Sequence, residues 1–183
     1  MASGKSCKPE NTRGANEKYQ KYVDMAKKAG ATDVLVIRAS DVVVDPRFLL
    51  KCMYGCRGWN SNWTCPSAPG ALRPWEFENI LKRYKHGILI HTHDKKLSQD
   101  LSYEIEVNAF WDGFYLSWSM SDCTLCKECA YPSEKCRFPM KARPAMQGVG
   151  IDVYATVRKF GLPLRPLRTL EEEQNWYSLV LIE

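Results

Sequence analysis

The 183-residue chain has no long apolar run. Its longest aliphatic stretches, 34–37, 88–90 and 179–182, fall far short of the roughly 18 residues a membrane-spanning helix needs. The stretch Met1 to Gly14 is polar and lacks the apolar segment of a secretory signal. These absences predict a soluble, cytoplasmic protein with no membrane partner. There is no internal repeat, no low-complexity tract, no nucleophile triad and no paired-carboxylate site. The glycine pattern Gly148-Val-Gly150 has no strand before it and is not a phosphate loop. The excess of basic residues, 26 against 21 acidic, gives a formal charge of only +5. No stripe of Lys and Arg interleaves with aromatics, so no nucleic-acid partner is expected.

What is present is ordinary globular composition, 45% hydrophobic and 26% charged, plus eight cysteines. A chain of this length buries about 70% of its unfolded surface and needs no disulfide staples. Residues 1–15 read as a polar leader and 16–183 as a single α/β domain. Tyr19, Tyr22, Val23 and Ala26 follow the helical period, and Gly30 ends that helix. Strands are expected at 33–38, 41–45, 87–92, 114–119 and 176–182, and helices at 74–85, 98–112 and 152–160. The helix at 98–112 is the least cleanly amphipathic of these. Thr169 to Glu172 has the pattern of a capping box for a further short helix. A long loop is expected over 52–70. Alternating strands and helices predict a mostly parallel or mixed sheet with flanking helices. Ligands gather at the carboxyl ends of such strands. Two cysteine-rich loops and the pair His91 and His93 would then meet at one sheet edge.

The cysteines fall into two groups. Cys123, Cys126, Cys129 and Cys136 are spaced C-x2-C-x2-C-x6-C. Thiolates at steps of three can each bind a different iron of a cubane, and a later thiolate closes the fourth. Zinc sites more often use two separated C-x2-C pairs. Cys52, Cys56 and Cys65 form C-x3-C-x8-C-P, three ligands without an evident fourth. That pattern suits a second [4Fe–4S] cluster with one open iron, or a site closed from elsewhere. Glycines and the tryptophans Trp59 and Trp63 inside this loop suit close backbone approach and exclusion of water. The cofactor expectation is two [4Fe–4S] clusters, with one cluster or zinc as alternatives.

The segments Leu50-Lys-Cys-Met-Tyr-Gly-Cys, Asn62-Trp-Thr-Cys-Pro66, Cys123-Thr-Leu-Cys-Lys-Glu-Cys, Cys136-Arg-Phe-Pro-Met-Lys-Ala-Arg-Pro144 and Gly150-Ile-Asp-Val153 resemble a family of predicted metal-binding proteins of anaerobic archaea and bacteria. The resemblance runs from about Tyr19 to Phe160 and turns on the seven cysteines. It implies an oxygen-sensitive metallocluster protein without a defined reaction. Ser67 stands where a second proline is expected, and Gln147-Gly148 where Glu-Ala is usual. Cys7 lies outside the resemblance and reads as a free thiol.

His91 and His93 share one face of a strand and are the candidate catalytic residues, as ligand or proton donor beside an open iron. The competing reading is one core histidine and one exposed. Thiolate-ligated clusters of about −2 and −1 would bring the holo-protein from +5 to near +2. Lys127, Lys135, Arg137, Lys141 and Arg143 crowd the second group, as a solvated face or as a dock for an acidic partner. Three functions follow. The first is an iron–sulfur oxidoreductase or lyase, in which a four-cysteine electron-transfer cluster feeds a three-cysteine cluster acting on a small substrate. The second is a non-enzymatic electron carrier serving a redox partner protein. The third is a zinc-stabilised binding protein.

Overall fold

A computed structural model describes residues 13–169 and 171–183. Cys7 and nearly all of the leader lie outside the described residues. The elements are α1 (Arg13–Lys28), β1 (Asp33–Arg38), α2 (Arg47–Gly55), α3 (Pro74–Leu81), β2 (His86–Thr92), α4 (Lys95–Trp111), β3 (Trp118–Met120), α5 (Val153–Arg158) and β4 (Trp176–Leu181). The class is α/β as expected, and no described helix is long and apolar enough to cross a membrane.

The four strands are ordered β1-β2-β4-β3, and every neighbouring pair is antiparallel. This corrects the expectation of a mostly parallel or mixed sheet. The reason lies in burial. Val34, Ile88, Ile90, Val180 and Ile182 pack under α1 and α4. Ile37, Leu89, Leu179 and Leu181 pack on the opposite face against Phe77, Met146, Val149 and Val157. A sheet covered on both faces gives uninterrupted aliphatic strands, the signature usually left by parallel sheets. The β2–α4–β3 unit does run two strands in one direction, but β4 slots between them against the direction of both.

Antiparallel pairing also changes how the cysteine loops assemble. β2 and β3 end at the same sheet edge, beside the start of β4, whereas β1 ends at the opposite edge. The chain after β1 returns through a 3-10 turn at Ala39–Asp41 and a short ladder rather than the expected second strand. Val44 bridges Ile151, Asp45 N–H donates to Gly150 O at 2.8 Å, and Asp152 N–H donates to Val43 O at 2.8 Å. Gly150 sits at φ 91°, and a Cβ there would lie 2.5 Å from Pro74 Cβ, so only glycine fits. The capping pattern at 169–172 gives no helix among the described residues, although Glu172 Oε1 accepts from Arg168 N and Thr169 N.

Candidate metal centre

The first cysteine group rests on α2, a helix where a loop was expected. Pro46 and the Asp45 carboxylate, which accepts from Arg47 N at 2.9 Å, start this helix. Cys52 lies within it, and Cys56 forms its C-terminal cap in extended backbone. Cys65 follows in a loop of successive turns. The three thiols line a cavity of about 150 Å3 together with Trp59, Lys95 and Asp122. Burial raises the Cys52 thiol pKa, and the neighbouring Cys56 and Cys65 raise it further. Thiolates grouped in this way repel one another unless positive charge lies near them. Cys65 Sγ accepts a hydrogen bond from Ser67 Oγ at 3.0 Å. A Cβ on Gly58 would stand 3.6 Å from Cys56 Sγ, so glycine keeps this thiol's surroundings open.

The second group leaves β3 directly. Cys123, Cys126, Cys129 and Cys136 line one small cavity of about 30 Å3, with Thr64 and Trp63 reaching in from the first loop. Its base is fixed by α4. Gln99, 2% exposed, accepts from Thr124 N at 2.8 Å and Thr124 Oγ1 at 2.6 Å. Because an amide N–H can only donate, Gln99 Oε1 is committed to Thr124. Gln99 Nε2 is left as a buried donor with no partner among the described residues. A buried donor beneath a cysteine loop is suited to anionic sulfur. The loop's far end is clamped by Arg143, whose guanidinium donates to Glu106 Oε1 at 2.5 Å and Oε2 at 2.9 Å while both side chains are nearly buried. Ser121 N–H donates to Pro144 O at 3.0 Å and closes the loop's neck.

The two groups adjoin. Cys123 lines both cavities. Trp63 Nε1 donates to Glu134 O at 2.9 Å, and its ring meets Tyr131 edge-on at 4.9 Å. Tyr131 OH donates to Asn60 Oδ1 at 2.9 Å. None of the seven described cysteines is in a disulfide. Among the described residues no three His, Cys, Asp or Glu side chains converge closely enough to hold a single ion. Seven thiols around two adjoining voids are nonetheless a donor set that suits metal, and Gln99 Nε2 adds an orphaned donor. These residues fit such a group.

The histidines stand apart from both thiol cavities. His91, 1% exposed, lies with Nδ1 2.8 Å from Asp33 Oδ2 and Nε2 2.7 Å from Asn175 Oδ1, stacked on Tyr177 at 4.7 Å. His93 is exposed, with Nδ1 3.1 Å from Gln174 O. Sequence reasoning passed over Gln99, Glu106 and Asn175. The blurred amphipathicity of α4 was the available signal for the first two, since Ser98, Gln99, Ser102 and Glu106 form a buried polar stripe. Nothing in the sequence marks Asn175.

No curated protein and no solved structure matches the chain. The model of one family matches residues 35–182, a span that takes in both cysteine groups and all four strands except the first two residues of β1. On that match the chain belongs to the family described as Predicted metal-binding protein (DUF2284).

Proposed function

We propose that the chain is an iron–sulfur protein that binds two [4Fe–4S] clusters. Cys123, Cys126, Cys129 and Cys136 would hold one, and Cys52, Cys56 and Cys65 the other. When bound, such clusters supply one-electron transfer at the four-thiol site and, at the three-thiol site, an iron position free for reductive or Lewis-acid chemistry on a small substrate. The observation that carries this reading is the placement of seven thiols around two adjoining cavities that share Cys123. The chain's own residues do the positioning. Gln99 fixes the backbone between Cys123 and Cys126, Ser67 donates to Cys65, and Trp59 and Trp63 cover the thiols from the first loop.

A second reading, a non-enzymatic carrier with both clusters fully ligated, is favoured by one observation. Asp122 lines the three-thiol cavity and could close its fourth position. The deciding experiment is iron and acid-labile sulfide per chain on anaerobically purified protein, with Cys52→Ala, Cys126→Ala and Asp122→Asn alongside. About eight irons, halved by either cysteine substitution and unchanged in Asp122→Asn, support two clusters with one open iron. A change of cluster type in Asp122→Asn supports the carrier. Stoichiometric zinc without iron rejects both and leaves a zinc-stabilised binding protein.

A further inference from the structure

A separate cavity of about 310 Å3 lies against the first cysteine group. Cys52, Cys56, Asp122 and Gln147 line both this cavity and the three-thiol void, so the two spaces share a wall. The rest of the lining is largely aromatic and aliphatic, with Phe48, Tyr154, Trp176 and Tyr177 among it. A void of roughly 150 Å3 holds one benzene ring. This cavity therefore has room for a ring carrying a side chain of several atoms.

Its free charged group is a cation. Lys51 is exposed, and its ammonium has no ion-pair partner among the described residues. Asn175, a wall residue, is held by its side-chain amide to His91 Nε2, 2.7 Å away. His91 is itself held at Nδ1 by Asp33, a side chain that is 41% exposed. Asp33, His91 and Asn175 thus form a line from the surface through the sheet to the cavity wall, and stacking on Tyr177 fixes the ring in plane. The acidic wall residue, Asp122, is occupied by Gln147 Nε2 at 3.2 Å and attracted by Lys95.

We propose that this cavity is the substrate site of the three-thiol centre and takes a small carboxylate with an apolar, ring-sized body. Lys51 meets the carboxylate, the aromatic wall holds the body, and the shared thiol wall sets it beside Cys52 and Cys56. The inference deepens the two-cluster reading and rests on it for the reaction, although binding itself is a property of the cavity.

The test uses 3-phenylpropionate as probe and 3-phenylpropanamide as its neutral counterpart, followed by tryptophan fluorescence and saturation-transfer NMR. Both are titrated into the iron-loaded chain and the metal-free chain. The expected result is saturable one-to-one binding in both forms, with the carboxylate at least tenfold tighter than the amide. Lys51→Met weakens the carboxylate at least fivefold. In the loaded form the probe also perturbs the paramagnetic signal of the three-thiol centre. No saturable binding, equal binding of both probes, or indifference to Lys51→Met overturns the proposal. A chain that takes up no iron yet shows the expected binding pattern would refute the cluster reading and leave the cavity assignment standing.

Discussion

Ser67 has one hydroxyl proton, and its neighbours decide where that proton goes. Asn60 N–H donates to Ser67 Oγ at 3.1 Å, so the hydroxyl acts as acceptor on that side and gives its proton to Cys65 Sγ at 3.0 Å. Asn60 adopts a left-handed φ of 59°, which asparagine tolerates better than most residues, and its side chain is held by Tyr131 OH. A proline at 67, the residue the family resemblance favours, could make no such donation. A hydrogen bond to ligand sulfur stabilises the more negative, reduced state of a cluster and raises its potential. If the bond differs by about 1 kcal/mol between oxidation states, a one-electron potential moves by about 40 mV. With the proposed clusters bound, Ser67→Ala should therefore lower the midpoint potential of the three-thiol centre by that order and leave the four-thiol centre in place. Ser67→Thr should restore it. A redox titration monitored by electron paramagnetic resonance checks both, and an unmoved potential in Ser67→Ala would remove Ser67 from this role.

At the scale of the element, α4 links the sheet to the cysteine loop. One stripe of the helix, Leu101, Ile105 and Ala109, packs into the core under α1, while Gln99 and Glu106 reach the second cysteine loop. Glu106 accepts from Ser119 N at 2.8 Å, from Ser119 Oγ at 2.5 Å and from Arg143, whose guanidinium also lies 4.4 Å from the Trp118 ring centre. Removing one partner of a buried pair leaves an uncompensated charge, at a cost of about 3–5 kcal/mol. Arg143→Ala should thus consume a large share of a stability that for such domains is about 5–15 kcal/mol. The double variant Arg143→Met with Glu106→Gln should lose less than Arg143→Ala alone, because it buries no net charge. Urea unfolding measures both, and additive losses would contradict the buried-pair argument. The same stripe shows what the sequence made legible. α1, β1, β2 and β4 follow from period and bounding residues, because their apolar faces are complete. Strand direction did not follow, since aliphatic runs report burial on both faces and not polarity of pairing. α2 was missed although its nine residues are amphipathic, because the cysteines, glycines and asparagines from Cys52 onward read as a loop and no residue of the helix is fully buried. Both thiol groups were found by spacing, but the Gln99 and Asn175 contacts depend on long-range packing that no local pattern encodes.

The charge of the whole molecule depends on what the thiols hold. Formally +5 with neutral thiols and a pI near 8.7, the chain would carry about +2 once two thiolate-bound clusters are in place. The loaded protein should therefore focus at a lower pH than the metal-free chain, and identical focusing positions would contradict cluster loading. A second whole-molecule property is set where α1 closes over the sheet. Tyr19 OH donates to Glu183 Oε1 at 2.6 Å and Tyr22 OH to Asp112 Oδ2 at 2.5 Å, with Lys18 and Lys21 paired to the same carboxylates. Lys18 and then Tyr19 hold the Glu183 carboxyl below its usual range, and Lys21 and then Tyr22 do the same for Asp112. A depressed carboxyl pKa contributes stability that is complete above the unfolded value, about pH 4, and is lost as pH falls through the folded value. Burial, reinforced by those carboxylates, raises the pKa of both tyrosines. A raised phenol pKa contributes stability that is complete below the unfolded value, about pH 10, and is lost as pH rises beyond it. The same four contacts therefore limit the fold from both sides. Glu183→Gln with Asp112→Asn should flatten the acid limb of a plot of melting temperature against pH. Tyr19→Phe with Tyr22→Phe should flatten the alkaline limb and leave the carboxylates paired to their lysines. If each pair of substitutions instead lowered the whole curve without changing its shape, these groups would contribute packing alone, and the pH limits would arise at other titrating groups such as Glu172 and Tyr177.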